Sequence, residues 1–369
     1  MNRPRQNVLG LTRQELSTFA ESIGEPRYRG QQIFSWLYSR GAREFRAMTD
    51  LGKAFRERLQ DSATIRGLSF VSREASRHDG TTKFLYELPD GLRIESVLIP
   101  PASAFRSGEA VRDDEQTRLT LCVSTQVGCP LDCAFCATGT MGFSRNLTSG
   151  EIVDQILQTL HITGKKITNI VFMGMGEPML NYDNVMQSLD IITHGIGIAA
   201  KHITISTAGW ADHIRRMADE RRRAKLAVSL HSAVEETRLR LMPVAKRFPL
   251  RTLLAAIEYY YRQMKHRVTY EFIFFDGVND SDAEVARLMT FARHVPSKIN
   301  VIPYHSIAFT GMRGFAASLR PSPRMEEIVE RLRSNKLTVM VRSSAGEDIA
   351  AACGQLAIRN IHRRRAGIA

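Results

Sequence analysis

The pattern of apolar and polar positions in the first part of the chain is helical. Ile33, Trp36 and Leu37 fall on one face at the spacing of an α-helix. Thr12-Arg-Gln-Glu15 has the sequence of a capping box, in which two side chains satisfy free backbone N–H groups at a helix start. No group of residues typical of catalysis accompanies this pattern. We therefore predict a small helical N-terminal domain over 1–67 with an accessory role.

Residues 68–117 have a different pattern, in which apolar and polar residues alternate as in β-strands. The alternation predicts strands at 83–88 and 93–99, and the Pro-Asp-Gly between them has the composition of a turn. Residues 101–117 are mostly small and charged, which predicts a long hairpin or a mobile loop. We interpret 68–117 as a β-hairpin linker between two larger units.

From residue 118 onward, short apolar segments alternate with amphipathic ones, which predicts parallel strands joined by helices. Predicted capping boxes at Thr148 and Ser281 mark two of the helix starts. In such α/β folds the chemistry collects at the carboxyl ends of the strands. We predict a core domain over 118–350 and a C-terminal segment over 351–369. The predicted strands cover 119–123, 169–172, 202–206, 225–230, 268–274, 298–302 and 338–341, and the predicted helices cover 148–162, 182–193, 210–219, 251–265, 281–294 and 324–334.

The composition is that of a soluble globular protein, with 43% hydrophobic and 24% charged residues. No apolar run approaches the roughly 18 residues that cross a membrane. The charged start Met-Asn-Arg-Pro-Arg also lacks the apolar region of a secretory signal. We therefore expect a cytoplasmic protein with reduced thiols and no membrane partner. We also expect a monomer, since nothing in the sequence requires a larger assembly.

The chain is strongly basic, with 51 Lys and Arg residues against 38 Asp and Glu residues, a net charge of +13. A surplus of this size favours a polyanionic partner, of which nucleic acid is the usual one. A generally basic enzyme without such a partner is the alternative. Basic residues cluster at 215–216, 221–223, 246–247 and 362–365, although none of these clusters is a binding motif by itself.

Three of the five cysteines lie in one loop, Cys129-Pro-Leu-Asp-Cys133-Ala-Phe-Cys136. Three thiolates from one short loop suit a soft metal centre, and three ligands for a four-iron cluster leave one iron open to a substrate or cofactor. Structural zinc is the alternative, but it usually needs four ligands in two separated pairs, and this loop has no histidine. A cluster with four cysteine ligands is also possible if Cys122 or Cys353 completes it.

Polar or small residues follow the predicted strands of the core domain. A Gly-Met-Gly-Glu-Pro motif closes the second strand, where glycine permits close backbone approach and Glu177 can accept a hydrogen bond from an ammonium group. A tight turn with a solvated glutamate is the alternative. Hydroxyl residues end the next strands, as a polar cofactor requires, although strands also simply terminate in such residues. The candidate cofactor contacts are Gly176, Glu177, Ser206, Ser229, Leu230 and His231.

The cysteine loop after the first strand of the core, with Phe135 before its last cysteine, resembles the radical S-adenosylmethionine (SAM) superfamily. With the Gly-Met-Gly-Glu-Pro motif and Ala-Ala-Cys353-Gly-Gln-Leu near the C-terminus, nearly the whole chain resembles the RlmN/Cfr family of radical SAM RNA methyltransferases. The resemblance implies an α/β fold with a partial (β/α)6 radical SAM barrel. It also implies a [4Fe–4S] cluster held by the three loop cysteines, with SAM bound to the open iron and to the candidate contacts above.

The resemblance also assigns roles to residues outside the loop. Cys353 would be methylated by one SAM and become the carbon donor, and Cys122 would release the product and form a transient disulfide with Cys353. Glu95 would take a proton from the target adenine. Without the resemblance, Cys353 is most simply a buried small residue and Glu95 a polar residue on an exposed strand face. His305 stands where the family usually has asparagine and would hydrogen-bond the SAM adenine.

The function that the resemblance implies is methylation of adenine C2 in 23S rRNA and in tRNA, with two SAM molecules per turnover. The N-terminal domain would then dock RNA, and a flavodoxin-type or similar protein would donate electrons. Methylation of adenine C8, as in the Cfr branch of the family, is a second hypothesis, although the Glu-Pro pair and Arg145-Asn-Leu-Thr148 favour the C2 branch. A radical SAM enzyme with a non-RNA substrate is a third hypothesis, and a non-catalytic iron–sulfur or zinc RNA-binding protein is a fourth.

Overall fold

Ten strands form one open sheet in the residues that the computed structural model describes, which are 5–101, 118–342 and 344–357. The strands, in chain order, are β1 (Gln6–Asn7), β2 (Ala63–Thr64), β3 (Ser69–Ala75), β4 (Thr82–Glu87), β5 (Arg93–Ile99), β6 (Thr120–Cys122), β7 (Gln126–Gly128), β8 (Phe143–Asn146), β9 (Asn169–Phe172), β10 (Ile203–Thr207), β11 (Lys225–Ser229), β12 (Val268–Phe272), β13 (Ser297–Val301) and β14 (Val339–Val341).

The sheet has the order β14-β13-β12-β11-β10-β9-β6-β5-β4-β3. Neighbouring strands from β6 to β14 in this order are parallel. The strands β3, β4, β5 and β6 pair antiparallel, so the predicted hairpin linker extends the parallel sheet at one edge. Two further pairs, β1 with β2 and β7 with β8, lie outside this sheet.

Helices connect the parallel strands, as the alternating pattern predicts, and the α/β fold class is confirmed. None of the described helices is long and apolar enough to span a bilayer. The α-helices are α1 (Arg13–Ser22), α2 (Tyr28–Phe34), α3 (Lys53–Ser62), α4 (Ser149–Thr163), α5 (Tyr182–Ile191), α6 (Ala211–Asp219), α7 (Glu235–Leu241), α8 (Leu250–Met264), α9 (Asp282–Ala292), α10 (Phe315–Ser318) and α11 (Met325–Ser334).

Local sequence determines several of these boundaries. Thr12 and Thr148 form complete capping boxes at the starts of α1 and α4. At α9 only half of the predicted box forms, since the Ser281 hydroxyl accepts from Glu284 N. The Glu284 carboxylate instead accepts a hydrogen bond from the Ser232 hydroxyl at 2.8 Å. A tertiary contact has therefore replaced the second half of the local motif.

Other differences from the sequence predictions also arise from tertiary structure. The helix that the spacing of Ile33, Trp36 and Leu37 predicts is divided into α2 and a π-helical turn, Ser35–Ser39. Neither α7 nor the β7–β8 pair was predicted, because both are too short for a periodic pattern. The loop predicted at 101–117 and the basic cluster at 362–365 lie outside the described residues, except for residue 101.

The N-terminal helices pack on the core domain through a buried carboxylate. Asp154 on α4 has no exposed surface and forms an ion pair with Arg43. Its other oxygen accepts a hydrogen bond from Leu68 N at 2.6 Å. A buried charge is stable only when paired and hydrogen-bonded, so these contacts fix the helical unit against α4.

Candidate active site

A cavity opens at the carboxyl ends of the parallel strands. Nine of the predicted site residues line the cavity, whereas Leu230, His305, Glu95 and Cys122 do not. The nine are Cys129, Cys133, Cys136, Gly176, Glu177, Ser206, Ser229, His231 and Cys353.

The cysteine loop is held at its base by the β7–β8 pair. Cys129 N donates to Gly142 O at 2.9 Å, and Cys136 N donates to Cys133 O at 3.1 Å. Gly128 has φ +76°, and a Cβ atom there would lie 1.8 Å from Gly142 O. Only glycine therefore fits where the loop leaves β7, and this tight start directs the three thiols into the cavity.

The electrostatics of the loop suit a cationic centre. Burial raises the pKa of Cys129 to about 12 and that of Cys133 well above its usual value, and the charges of neighbouring thiols add to both shifts. A bound metal centre would reverse these shifts by stabilising the thiolates. Among the described residues, no group of three or more His, Cys, Asp or Glu is close enough to hold a single ion. Three thiols from one loop that line the same cavity are a donor set that an iron–sulfur cluster can take.

Glu177 is buried, so its interpretation as a solvated turn residue is wrong. Its oxygens accept from Met179 N at 2.9 Å and from Ala208 N at 2.7 Å, which joins the ends of β9 and β10. Burial raises the pKa of this carboxyl to about 7. Gly176 has φ +100°, and a Cβ atom there would lie 2.5 Å from Gln126 Cβ. The turn therefore needs glycine for a steric reason.

His231 is a neutral, fixed ring on the cavity wall. Ile273 N donates to Nδ1 at 3.1 Å, and burial lowers the pKa of the ring to about 3. The proton of the neutral ring therefore resides on Nε2. Phe135 packs on the ring at 4.4 Å between centroids. Leu230 beside it has no exposed surface, so its side chain belongs to the core.

Cys353 reaches the cavity from the C-terminal segment. Ala137 N donates to Gly354 O at 2.7 Å, and the Thr138 hydroxyl donates to Leu356 O at 2.7 Å. These two bonds hold the segment against the cysteine loop. Cys353 is exposed to solvent through the cavity. Its interpretation as a buried small residue is therefore wrong.

Arg342 links Cys353 with Cys122. Although the residue as a whole is exposed, desolvation of its thiol raises the pKa of Cys353, and the nearby Arg342 guanidinium opposes that shift. Burial raises the pKa of Cys122 to about 12, and the nearby Cys353 thiol adds to it. The two thiols therefore lie close enough for the charge of one to affect the pKa of the other, although 230 residues separate them in sequence.

Glu95 lies on β5 and is only 5% exposed, so its interpretation as an exposed strand residue is wrong. Burial raises the pKa of its carboxyl to about 7, and the Lys83 ammonium at 3.5 Å opposes this shift. Glu95 Oε2 has no hydrogen-bond partner among the described residues. This buried oxygen therefore keeps an unused capacity to accept a hydrogen.

His305 is 9% exposed and lies outside the cavity lining. Its Nδ1 atom is 3.1 Å from Glu347 Oε1, six residues before Cys353. The structure therefore shows His305 in contact with the residues that lead into the C-terminal segment and not at the cavity wall.

Sequence reasoning missed three charged residues around the site. Glu271 on β12 lines the cavity and is 3% exposed, with Oε1 at 3.1 Å from Asn300 Nδ2. Arg342 follows β14 and lies 3.5 Å from the same oxygen. Lys83 on β4 contacts Glu95. A charged residue inside or next to an otherwise apolar strand is the signal that indicates such positions.

The sheet and the three-cysteine loop at the carboxyl end of β6 define a radical SAM enzyme. The sequence model of the radical SAM superfamily matches residues 123–289, and that of the ribosomal RNA large subunit methyltransferase N-terminal domain matches residues 6–65. The crystal structure of a radical SAM methyltransferase from Sphaerobacter thermophilus is 38% identical with a TM-score of 0.83, covering 95% of this chain and 99% of that chain.

Curated relatives give the particular family. The dual-specificity RNA methyltransferase RlmN of Halorhodospira halophila is 41% identical over 353 residues, 95% of this chain and 92% of the relative. The protein of the same name from Desulfotalea psychrophila is 39% identical over 371 residues, 96% of each chain. The chain belongs to the RlmN family of radical SAM RNA methyltransferases, which confirms the resemblance, and it is an enzyme of this class.

Proposed function

We propose that this enzyme methylates C2 of adenine in 23S rRNA and in tRNA, with Cys353 as the carrier of the transferred carbon. The observation that carries the proposal is the position of Cys353 in the same cavity as the three loop cysteines. The names of the relatives, which describe RNA methyltransferases of dual specificity, support both RNA substrates.

Two groups of residues hold the cofactors in this proposal. Cys129, Cys133 and Cys136 bind a [4Fe–4S] cluster and leave one iron open. When bound, the cluster and SAM supply a 5′-deoxyadenosyl radical. The SAM contacts are the backbone at Leu230 and the side chains or turns of Gly176, Glu177, Ser206, Ser229 and His231. His305 has the least geometric support, because its ring contacts Glu347 outside the cavity lining.

The remaining residues carry out the chemistry on carbon. The Cys353 thiolate takes the methyl group from one SAM, with S-adenosylhomocysteine as the leaving group, and its S-methyl group then loses a hydrogen atom to the radical. The resulting methylene radical bonds to adenine C2, an electron-poor position that ordinary nucleophilic methyl transfer does not reach, and the unpaired electron of the adduct returns to the cluster. Glu95 removes the C2 proton, which restores the aromatic ring. The Cys122 thiolate then attacks the Cys353 sulfur, which breaks the carbon–sulfur bond and forms a disulfide, and the released carbon takes up a proton to become the methyl group.

The proposal also covers the partners. The target base must leave its stack to reach the cavity, which suits loops of folded RNA. The net charge of +13 favours RNA binding, and the N-terminal domain is the proposed docking unit. A flavodoxin-type or similar protein supplies electrons. We propose that the enzyme acts as a monomer in the cytoplasm.

One assay separates this function from the competing hypotheses. Reconstituted enzyme is incubated without oxygen with SAM, a reductant and an unmodified rRNA fragment or tRNA, and the nucleosides are identified by mass spectrometry. We expect 2-methyladenosine from both RNAs. Formation of 8-methyladenosine would assign the enzyme to the Cfr branch. SAM cleavage without methylated RNA would indicate a non-RNA substrate, and no SAM consumption would indicate a binding protein.

A further inference from the structure

Lys83 lies between the proposed proton acceptor and the segment that carries Cys353. On the paired strands β4 and β5, Leu85 lies opposite Glu95 and Lys83 lies opposite Val97. Lys83 and Glu95 are therefore diagonal neighbours on one face of the sheet, where long side chains meet. The Lys83 Nζ atom lies 3.5 Å from Glu95 Oε1.

The same ammonium group makes two further contacts. It donates a hydrogen bond to Ile349 O at 2.7 Å, four residues before Cys353. It also lies 3.3 Å from Glu74 Oε2, on the residue directly opposite it on β3. The Lys83 side chain is only 14% exposed. The ammonium group therefore makes one hydrogen bond, to the backbone carbonyl, and two ion pairs, to the carboxylates of Glu74 and Glu95.

The Lys83 ammonium favours the ionised form of Glu95. Among the described residues, burial raises the pKa of Glu95, the Lys83 ammonium and the Ala357 N–H oppose the shift, and the Glu74 carboxylate adds to it. Removal of the ammonium alone would leave a buried carboxyl beside a like charge. Both effects favour the protonated form, which cannot accept a proton.

Two other contacts tie the β3–β4 hairpin to residues 346 and 348, which lead into the C-terminal segment, without involving Glu95. Asp79 Oδ2 accepts from Gly346 N at 2.8 Å, and Asp348 Oδ2 accepts from Arg77 N at 3.1 Å. Lys83 differs from these contacts because one atom, Nζ, contacts both Glu95 and the segment that leads to Cys353. Glu95, the proposed proton acceptor, and Cys353, the proposed carbon carrier, must both reach C2 of the base. Lys83 contacts Glu95 and the residues that lead to Cys353.

We propose that Lys83 is a positioning residue for proton removal: its ammonium group fixes Glu95 Oε1, leaves Oε2 free to accept the proton, and links the carboxylate to the Cys353 segment. In this step the C2–H bond breaks, its electrons stay on the base, and the carboxylate becomes a carboxylic acid. The inference rests on the proposed function, since it requires Glu95 as the acceptor.

The first test measures the protonation of Glu95 without RNA. In full-length protein with carbon-13-labelled glutamate carboxyls, the Glu95 signal is assigned by its loss in the Glu95→Gln variant. We expect Lys83→Met to raise the pKa of Glu95 by about 1–3 units, the usual effect of one adjacent charge. Lys83→Arg keeps the charge and holds the pKa near that of the wild type. Glu74→Gln shifts the pKa downward, by less because Glu74 is exposed and screened.

The second test measures RNA methylation against pH. In the wild type we expect the rate to rise with pH through the pKa of Glu95, because only the carboxylate accepts a proton. In Lys83→Met the rate rises at a higher pH, by the same amount as the pKa of Glu95 increases in the first test. In Lys83→Arg the rate rises at the same pH as in the wild type. S-methylation of Cys353, measured by peptide mass, continues in Lys83→Met because that step does not use Glu95. Asp79→Asn, which weakens the contact with Gly346 and does not touch Glu95, lowers the rate but leaves the pH at which the rate rises unchanged.

These readouts separate the inference from the function on which it rests. An unchanged pKa of Glu95 and an unchanged pH profile in Lys83→Met would overturn the role of Lys83 while RNA methylation by the wild type stands. A wild type that forms no methyladenosine at any pH would overturn the proposed function and this inference with it. A shifted pKa and a shifted profile, both restored by Lys83→Arg, would support the inference.

Discussion

The two sides of the candidate site are assembled in different ways. One side, the cluster side, comes from the single loop 129–136, whose thiols share one short stretch of backbone. The other side, the carrier side, consists of Cys353 at the cavity and of Cys122 and Glu95 outside its lining, and these residues come from the C-terminal segment and two strands. Local backbone geometry is enough to form the first, whereas the second exists only when the sheet and the segment are in place.

Because of this difference, we expect substitutions on the two sides to stop different steps of the proposed reaction. A change on the cluster side removes the source of the radical, so every later step is lost. A change on the carrier side leaves radical generation intact and stops one later step. Substitutions therefore test whether the two sides act separately.

The largest expected effect is that of Cys133→Ala. Two cysteines cannot hold the cluster, so we expect loss of bound iron and a fall in RNA methylation of at least about 1,000-fold, as when a residue at the centre of the chemistry is removed. Iron analysis and nucleoside mass spectrometry measure the two effects. Cys122→Ala, which removes a thiol outside the loop, is the control and keeps its iron. A fully iron-loaded, active Cys133→Ala protein would contradict the assignment of the cluster side.

Cys353→Ala separates the two sides. We expect normal iron content and continued cleavage of SAM to 5′-deoxyadenosine, while methyladenosine falls at least about 1,000-fold because no thiol accepts the methyl group. Chromatography measures 5′-deoxyadenosine and methyladenosine in the same reaction, so that the two yields can be compared with those of the wild type. Methyladenosine at more than a tenth of the wild-type level would exclude Cys353 as the carrier.

Cys122→Ala stops only product release. Without the second thiol, the Cys353–carbon bond persists, so we expect up to one covalently attached RNA per enzyme molecule. A denaturing gel with labelled RNA detects the adduct, and RNase digestion with peptide mass analysis places it on Cys353. Repeated turnover without an adduct would remove Cys122 from the mechanism.

The smallest expected effect is that of Asp79→Asn, which weakens the contact between the hairpin and the C-terminal segment. Loss of one charge-assisted hydrogen bond to Gly346 costs about 1–3 kcal/mol. We expect faster hydrogen exchange in peptides covering 344–357 and unchanged iron content. Unchanged exchange there would mean that the hairpin does not hold the carrier side.

The sequence predicts the cluster side well because its information is local. The loop spacing, the capping boxes at Thr12 and Thr148, and the strand–helix alternation all depend on neighbouring residues, and the structure contains each of them. At Ser281 the local motif is incomplete, because the Glu284 carboxylate bonds to Ser232 on a different element. Local patterns do not specify such tertiary contacts.

The carrier side is accessible from sequence only through resemblance to a family. Cys122 and Cys353 have no shared spacing, and their proximity follows from the position of β6 and the course of the C-terminal segment. The contact between Lys83 and Glu95 depends on the register of β4 against β5, and a shift of one residue would place the side chains on opposite faces. Sheet register results from packing over the whole sheet, so no single stretch of sequence reveals these contacts.

The central claim, that Cys353 carries the transferred carbon, is tested most directly by the hydrogens of the methyl group. The enzyme is supplied with SAM whose methyl group is fully deuterated, and the 2-methyladenosine formed after the first turnover is analysed by mass spectrometry. On Cys353 the methyl group loses one deuterium to the radical and gains one proton at release, so the account predicts a product methyl group with two deuterium atoms. A product that retains all three deuterium atoms would mean direct transfer from SAM to RNA and would contradict the account.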